Sequence, residues 1–125
     1  MNTNQINSLV LAYIGDSIYE FNVREFLIKK GINNVNDLQS EAKKYVSAKS
    51  QSQYLSLIIE KKILVENEID IVKRARNSKV NSHPKNTDII TYKYATGLEA
   101  LIGYLYLNGK YERINIIMNI IFERN

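Results

Sequence analysis

The sequence predicts an all-α fold, and three observations support that prediction. Apolar residues recur at helical spacing along most of the 125 residues. Polar capping residues and glycines separate these periodic segments. No segment shows the alternation expected of a strand with one buried face. Because the chain is short, we expect one domain, residues 1–125, built as a helical bundle.

Six helices are expected in order, at about residues 8–30, 36–46 or 36–49, 47–61, 66–77, 88–108 and 110–123. Polar residues that can cap their N-termini are Asn36 or Asp37, Ser47, and Thr87 or Asp88. Gly31 and Gly109 are placed to end the first and fifth helices. The fourth helix begins with acidic residues and ends with basic ones, which suits the helix dipole. Residues 78–88 lack apolar periodicity and contain Pro84 and His83, so they predict a loop with a surface histidine.

Three helices have a buried face that can be predicted from the spacing of their apolar residues. These residues are Leu11, Ile14, Ile18 and Phe21 in the first helix, Leu98, Leu101, Ile102 and Leu105 in the fifth, and Ile114, Ile117, Met118 and Ile121 in the sixth. Asp16 lies roughly opposite the first of these stripes, in line with Ala12 and Tyr13. The first helix is therefore expected to be buried on two sides.

The composition argues against several classes of protein. The chain has no cysteine, so neither disulfides nor thiolate metal sites are expected. No apolar run approaches the roughly 20 residues that cross a membrane, and the first residues lack the basic start of a signal peptide. A cytoplasmic protein without a membrane partner is the expectation.

The positive charge is concentrated in one short segment. Residues 73–93 carry six Lys or Arg against Asp88 alone, a net charge of +5, whereas the whole chain carries +4. Its basic residues are Lys73, Arg74, Arg76, Lys79, Lys85 and Lys93. Such a patch indicates a polyanionic partner. A solvated, lysine-rich loop is the alternative.

Two carboxylates lie among small residues in apolar helical segments. Asp16 follows Ala12 and Gly15, and Glu99 lies between Gly97 and Gly103. Small residues allow two helices to approach closely, and such a crossing would place both carboxylates on one divalent cation. Mg²⁺ is bound by oxygen ligands and often takes only one or two carboxylates. On the residues alone the alternative stays open that each acid pairs with a lysine, an arginine or a tyrosine hydroxyl.

Several segments carry a resemblance to a known family. Residues 11–20, Leu-Ala-Tyr-Ile-Gly-Asp-Ser-Ile-Tyr-Glu, resemble the signature helix of the ribonuclease III endonuclease family, and residues 99–103 resemble its second acidic motif. Residues 46–51, 74–77, 84–88 and 91–96 are similar to the small Mini-ribonuclease III branch, which lacks a double-stranded-RNA-binding domain.

The resemblance implies an all-α homodimer that hydrolyses double-stranded RNA with Mg²⁺ and leaves a 5′-phosphate and a 3′-hydroxyl. It implies maturation of the 23S ribosomal RNA precursor, with a ribosomal protein as a further partner. Asp16 and Glu99 match the acids tied to catalysis and metal binding, and Tyr13 takes the place of an aromatic residue that fills a socket on the partner subunit. We expect the basic residues named above, together with Lys49, to bind RNA.

The sequence also departs from the family pattern. Further acids of the wider family correspond here to Leu9, Ala12 and Thr96, so the number of cations is left open. Glu20 is placed to assist through water or to bond a tyrosine. Two alternatives to an enzyme follow: a catalytically silent RNA-binding factor in ribosome assembly, and a helical protein-interaction domain with no nucleic-acid role.

Overall fold

The structure is a computed structural model that describes residues 2–79, 85 and 87–124. Within these residues, a short 3-10 turn at Thr3–Gln5 precedes six helices: α1 (Ser8–Lys29), α2 (Val35–Val46), α3 (Ala48–Glu60), α4 (Glu66–Arg76), α5 (Ile89–Leu107) and α6 (Tyr111–Arg124). The all-α prediction is confirmed. His83 and Pro84, on which the loop prediction partly depends, lie outside the described residues.

Most predicted helix ends agree with the structure because local chemistry sets them. The Oγ of Ser47 accepts a hydrogen bond from the amide of Ser50, and Asp88 accepts one from Thr91. Gly31 and Gly109 have φ angles of 105° and 70°, which allow the chain to leave α1 and α5 in the left-handed region.

The predicted cap of the second helix is wrong. Asn34, and not Asn36 or Asp37, is the N-cap of α2. Its Oδ1 accepts a hydrogen bond from the amide of Asp37 over 3.2 Å, so the helix begins at Val35. A run of asparagines offers several possible caps, and the backbone conformation decides which one is used.

Helix α5 is the centre of the bundle. It packs against α1, α3, α4 and α6. Ten of its residues, from Ala95 to Leu105, are buried, including the predicted stripe of Leu98, Leu101, Ile102 and Leu105. The predicted buried residues of α6 are also in the core. A helix that is apolar all round is the expected solution for a central position.

The predicted buried face of α1 is wrong. Leu11 is buried, but Ile14 and Ile18 are only half-buried and Phe21 is 61% exposed. The buried face instead consists of Leu11, Ala12, Gly15, Tyr19, Val23 and Leu27. Small residues within this face bring α1 close to α5, and the larger apolar side chains are displaced to the outside.

The backbones of α1 and α5 touch at two glycines. A Cβ atom on Gly15 would coincide with the carbonyl oxygen of Glu99 and would lie 2.8 Å from the amide nitrogen of Gly103. A Cβ atom on Gly103 would coincide with the carbonyl oxygen of Leu11 and would lie 3.1 Å from the amide nitrogen of Gly15. Each glycine therefore faces one hydrogen-bonded turn of the other helix. Asp16 and Glu99 are brought together at this crossing.

A buried ion pair holds α4 and α6 to the bundle. Glu68 is only 2% exposed. Arg113 donates hydrogen bonds to both of its carboxylate oxygens, from Nη2 over 2.7 Å and from Nε over 2.9 Å. The amide of Val65 donates to the same carboxylate, which therefore also closes the first turn of α4.

Among the described residues, no helix is long and apolar enough to cross a membrane.

Candidate active site

The two carboxyl groups singled out in the sequence meet where α1 crosses α5. Asp16 is exposed on α1, whereas Glu99 is half-buried on α5. Their side chains share a hydrogen bond. Among the described residues, no ion pair with lysine or arginine includes either acid. The alternative in which each acid is neutralised by a basic side chain is therefore not what the structure shows.

Burial and the neighbouring acid raise the pKa of Glu99 to about 9. Desolvation makes the largest contribution, followed by the hydrogen bond with Asp16 and the negative charge of Asp16. The charge of Glu20 acts in the same direction, and the amide of Gln51 opposes it. At neutral pH the Glu99 carboxyl therefore retains a proton.

The remaining wall of the site comes from buried polar side chains. Gln51 projects from the first turn of α3 and is 2% exposed. Tyr19 is fully buried on α1, and its hydroxyl donates a hydrogen bond to the carbonyl of Tyr45 over 2.6 Å. Burial raises the pKa of Tyr19, and the neighbouring Tyr54 and the charge of Glu99 raise it further. Sequence reasoning missed Gln51, although the segment at residues 46–51 contains it.

The carboxyl pair fits a hard divalent cation. Two ionised acids held together repel each other, and a cation bound between them would neutralise both. Within the part of the chain that the structure describes, no three His, Cys, Asp or Glu side chains form a group that could hold a metal ion. The protein would therefore supply two carboxylates, and water and phosphate oxygens would complete the shell of an ion such as Mg²⁺.

The positions that lack the wider family's acids do not supply other ligands. Ala12 is buried at the helix crossing, and Leu9 is exposed. The hydroxyl of Thr96 donates to the carbonyl of Tyr92 over 2.9 Å. Among the hydrogen bonds of the described residues, the partner of Glu20 is Arg24 and not a tyrosine: Oε1 of Glu20 accepts from Nη2 of Arg24 over 3.2 Å. Its charge is nevertheless felt at Glu99.

The predicted RNA-binding residues differ in their surroundings. Lys49, Lys73, Lys79 and Lys85 are exposed, and Lys93 is half-buried. Arg76 lies over the ring of Tyr94, with its guanidinium carbon 4.9 Å from the ring centre.

Arg74 makes contacts inside the chain that the sequence did not predict. Its Nε donates to the Oγ of Ser8 and its Nη2 to the carbonyl of Ile6, each over 3.2 Å. Arg74 therefore ties the end of α4 to the start of α1. These contacts engage the Arg74 guanidinium within the fold.

The outer face of α1 is apolar. Tyr13 is 84% exposed, and Val10, Phe21 and Ile28 on the same helix are each more than half exposed. These positions share one side of the helix. Because Tyr13 points outward, it does not pack in the core of its own chain.

Comparisons with known proteins identify the family of the chain. The sequence profile of the Ribonuclease III domain matches residues 9–110. Proteins named Mini-ribonuclease 3 are similar over most of the chain. The one from Brevibacillus brevis is 51% identical over 111 residues, 89% of this chain and 81% of the relative. The one from Streptococcus pneumoniae is 40% identical over 119 residues, 95% of this chain and 93% of the relative.

A solved structure extends the likeness to the fold. The crystal structure of a protein from Fusobacterium nucleatum superposes with a TM-score of 0.86 at 38% identity, and the match covers 95% of each chain. The chain therefore belongs to the ribonuclease III domain family, and within it to the Mini-ribonuclease III branch. Membership identifies it as an endoribonuclease.

The raised pKa of Glu99 predicts a dependence of stability on pH. In the unfolded chain this carboxyl returns to its ordinary pKa of 4.5, so between pH 4.5 and pH 9 the folded state binds a proton that the unfolded state does not. The stabilisation is present in full below pH 4.5 and is lost as the pH rises through 9. In the wild type, the loss of this proton lowers the free energy of unfolding by at most about 1.4 kcal/mol per pH unit. Glu99→Gln should remove this decline.

Urea unfolding between pH 5 and pH 9, in the presence of chelator, measures this difference. Glu60→Gln, at the exposed end of α3, is the matched control and should keep the profile of the wild type. Identical profiles for Glu99→Gln and the wild type would contradict the raised pKa of Glu99.

Proposed function

We propose that the chain is a Mg²⁺-dependent endoribonuclease that hydrolyses double-stranded RNA and leaves a 5′-phosphate and a 3′-hydroxyl. The observation that supports this most directly is the Asp16–Glu99 pair at the crossing of α1 and α5. On this proposal residues 1–125 form one catalytic domain. The two-carboxylate site suits a cation that retains water and takes substrate phosphate as a ligand.

Each side chain of the pair has a separate task. Asp16 is exposed, so it can meet a cation that arrives from solvent with its water shell. Glu99 is half-buried and must release its proton before it can act as a second anionic ligand. A bound Mg²⁺ supplies charge neutralisation at the scissile phosphate and a lowered pKa for attacking water. The buried surroundings of Glu99 limit the positions that its carboxylate can adopt.

The basic segment supplies the attraction to RNA. Its positive side chains lie at the end of α4, between α4 and α5, and near the start of α5. Helix α5 also carries Glu99. Double-stranded RNA is recognised mainly through its A-form shape, its phosphates and its 2′-hydroxyls, which suits lysines spread over a surface. Resemblance to the Mini-ribonuclease III branch leads us to propose the 23S ribosomal RNA precursor as substrate, a ribosomal protein as partner and the cytoplasm as location.

A homodimer accounts for the apolar outer face of α1. Val10, Tyr13, Phe21 and Ile28 form a stripe along a helix of a 125-residue chain, and burying this stripe would be favourable. In an antiparallel pairing of two α1 helices about a two-fold axis near Ser17, Tyr13 of one subunit comes opposite Phe21 of the other. Phe21 lines a groove together with Tyr106, Tyr111 and Ile114, which could receive an aromatic ring.

Removal of either carboxylate should abolish cleavage while the fold remains. Asp16→Asn and Glu99→Gln keep the size of the side chains and remove the anionic ligands, so cleavage of precursor ribosomal RNA should fall at least about a hundredfold. The measurement is a time course with Mg²⁺ or with chelator, alongside circular dichroism.

Asp70→Asn and Glu60→Gln, at exposed positions on α4 and α3, are the matched controls. Wild-type cleavage by Asp16→Asn or Glu99→Gln would exclude the carboxyl pair as the catalytic site. A wild-type protein that binds the RNA but leaves it intact with Mg²⁺ would support the silent assembly factor instead.

Charge reversal in the basic segment should weaken RNA binding. Replacing Lys73, Lys79 and Lys85 by Glu should lower the affinity and flatten its dependence on salt, because fewer counterions are released. The control replaces Lys29, Lys61 and Lys110, which are exposed elsewhere and change the net charge equally. Fluorescence anisotropy with duplex RNA at several salt concentrations compares the two variants. Equal slopes would favour the solvated-loop interpretation.

Loss of the outward aromatic ring should separate the subunits. Tyr13→Ala should weaken the dimer by roughly 2 kcal/mol or more, as an aromatic hot spot does, and lower activity at low protein concentration. Its thermal stability as a monomer should change little because Tyr13 is 84% exposed. Sedimentation across a dilution series measures the shift, with Val65→Ala, at an exposed apolar side chain before α4, for comparison. A wild type that is monomeric at micromolar concentration would exclude the dimer.

A further inference from the structure

Gln51 is a buried polar side chain without an obvious structural task. It lies in the first turn of α3 and is 2% exposed. Among the described residues, its Nε2 is a buried side-chain donor that has no hydrogen-bond partner. The other buried residues of α3 are Tyr54, Leu55 and Ile58. A donor left unpaired in such surroundings is unfavourable, so this site is one acceptor short.

Helix α3, which carries Gln51, packs on α5, which carries Glu99. Leu55 lies one turn after Gln51 on the same face of α3. Leu55 closely packs against Gly97 of α5, where an added Cβ would lie 3.2 Å from its Cδ2. The Gln51 amide is close enough to the Glu99 carboxyl to act against the rise of its pKa, whereas Nε2 completes no hydrogen bond in the structure.

We propose that Gln51 is a positioning residue of the carboxyl pair: its Nε2 donates a hydrogen bond to the carboxylate of Glu99 and holds it in the direction in which Glu99 and Asp16 bind one divalent cation. This inference rests on the proposed function. Glu99 would then be held from the α3 side by an amide and would meet Asp16 and the cation on the α1 side. Partners behind a ligand commonly fix its orientation in metal sites, and their loss weakens the site without removing a ligand.

The competing interpretation is that Gln51 only fills space between α3 and α5. An apolar side chain of similar volume would fill that space without an unpaired donor. The two interpretations therefore differ in the cation affinity that they predict after such a replacement. If Gln51 only fills space, the variant keeps both its stability and its affinity for the cation; if it serves the site, the variant keeps its stability and loses affinity for the cation.

The test compares Gln51→Met with Gln53→Met, since Gln53 is an exposed glutamine on the same helix. Binding of Mn²⁺ alone, without RNA, is followed by the electron paramagnetic resonance of the unbound ion. Gln51→Met should bind Mn²⁺ roughly 10- to 100-fold more weakly than the wild type. Its melting temperature in chelator should equal or exceed that of the wild type. With Mg²⁺ at a fixed concentration below saturation, kcat for RNA cleavage should fall while KM for the RNA is unchanged.

Three other outcomes would overturn the inference, and the third would also overturn the proposed cation site. Unchanged Mn²⁺ affinity in Gln51→Met, with affinity lost in Glu99→Gln, would overturn the role of Gln51 and leave the proposed function intact. A marked loss of melting temperature in both Gln51→Met and Gln51→Leu would assign the amide to the fold and overturn the inference. Mn²⁺ binding that is undetectable in the wild type, or undiminished in Glu99→Gln, would remove the proposed cation site and the role of Gln51 with it.

Discussion

The contact between the backbones of α1 and α5 is the constraint on which the rest of the structure depends. Gly15 and Gly103 each face a turn of the opposite helix where no side chain fits. This contact fixes the separation of the two helices and their rotation about their own axes. Asp16 follows the first glycine directly, and Glu99 precedes the second by one turn, so the same contact brings two carboxyl groups together against their mutual repulsion. Burial and this repulsion raise the pKa of Glu99.

The sequence predicts those parts of the fold that local chemistry decides. The caps at Ser47 and Asp88 hold the first turns of α3 and α5 through a side chain and an amide three residues later. The buried stripe of α5 is confirmed because a helix enclosed on several sides buries its large apolar residues whichever neighbour they meet. The buried face of α1 was not predicted, because it depends on the partner helix. The predicted stripe contains large residues such as Phe21, whereas the observed buried face contains Ala12 and Gly15, which allow closer contact with α5.

The candidate site was only partly predictable for a related reason. Asp16 and Glu99 could be found in the sequence because acids among small, apolar neighbours are unusual. Gln51 carries no charge and belongs to no periodic pattern, so its position beside Glu99 emerges only when α3 packs on α5. Long-range contacts are equally invisible to local reasoning. Arg74 was assigned to RNA from the charge of its segment alone, but it bonds Ser8, which is 66 positions away in the chain.

Helix α1 joins three properties that would otherwise be independent. Gly15 fixes how it faces α5, Asp16 carries one carboxylate of the pair, and Tyr13 points outward one turn earlier. Because the helix is rigid, its rotation cannot be set for one of these properties without setting the others. On the proposed dimer, a second subunit bound over Tyr13 would lie next to the carboxylate pair, so an RNA duplex that reaches one pair would also meet the partner. Dimer formation and the placement of the cation site would thus follow from one helix crossing, with Gln51 acting on Glu99 from the opposite side.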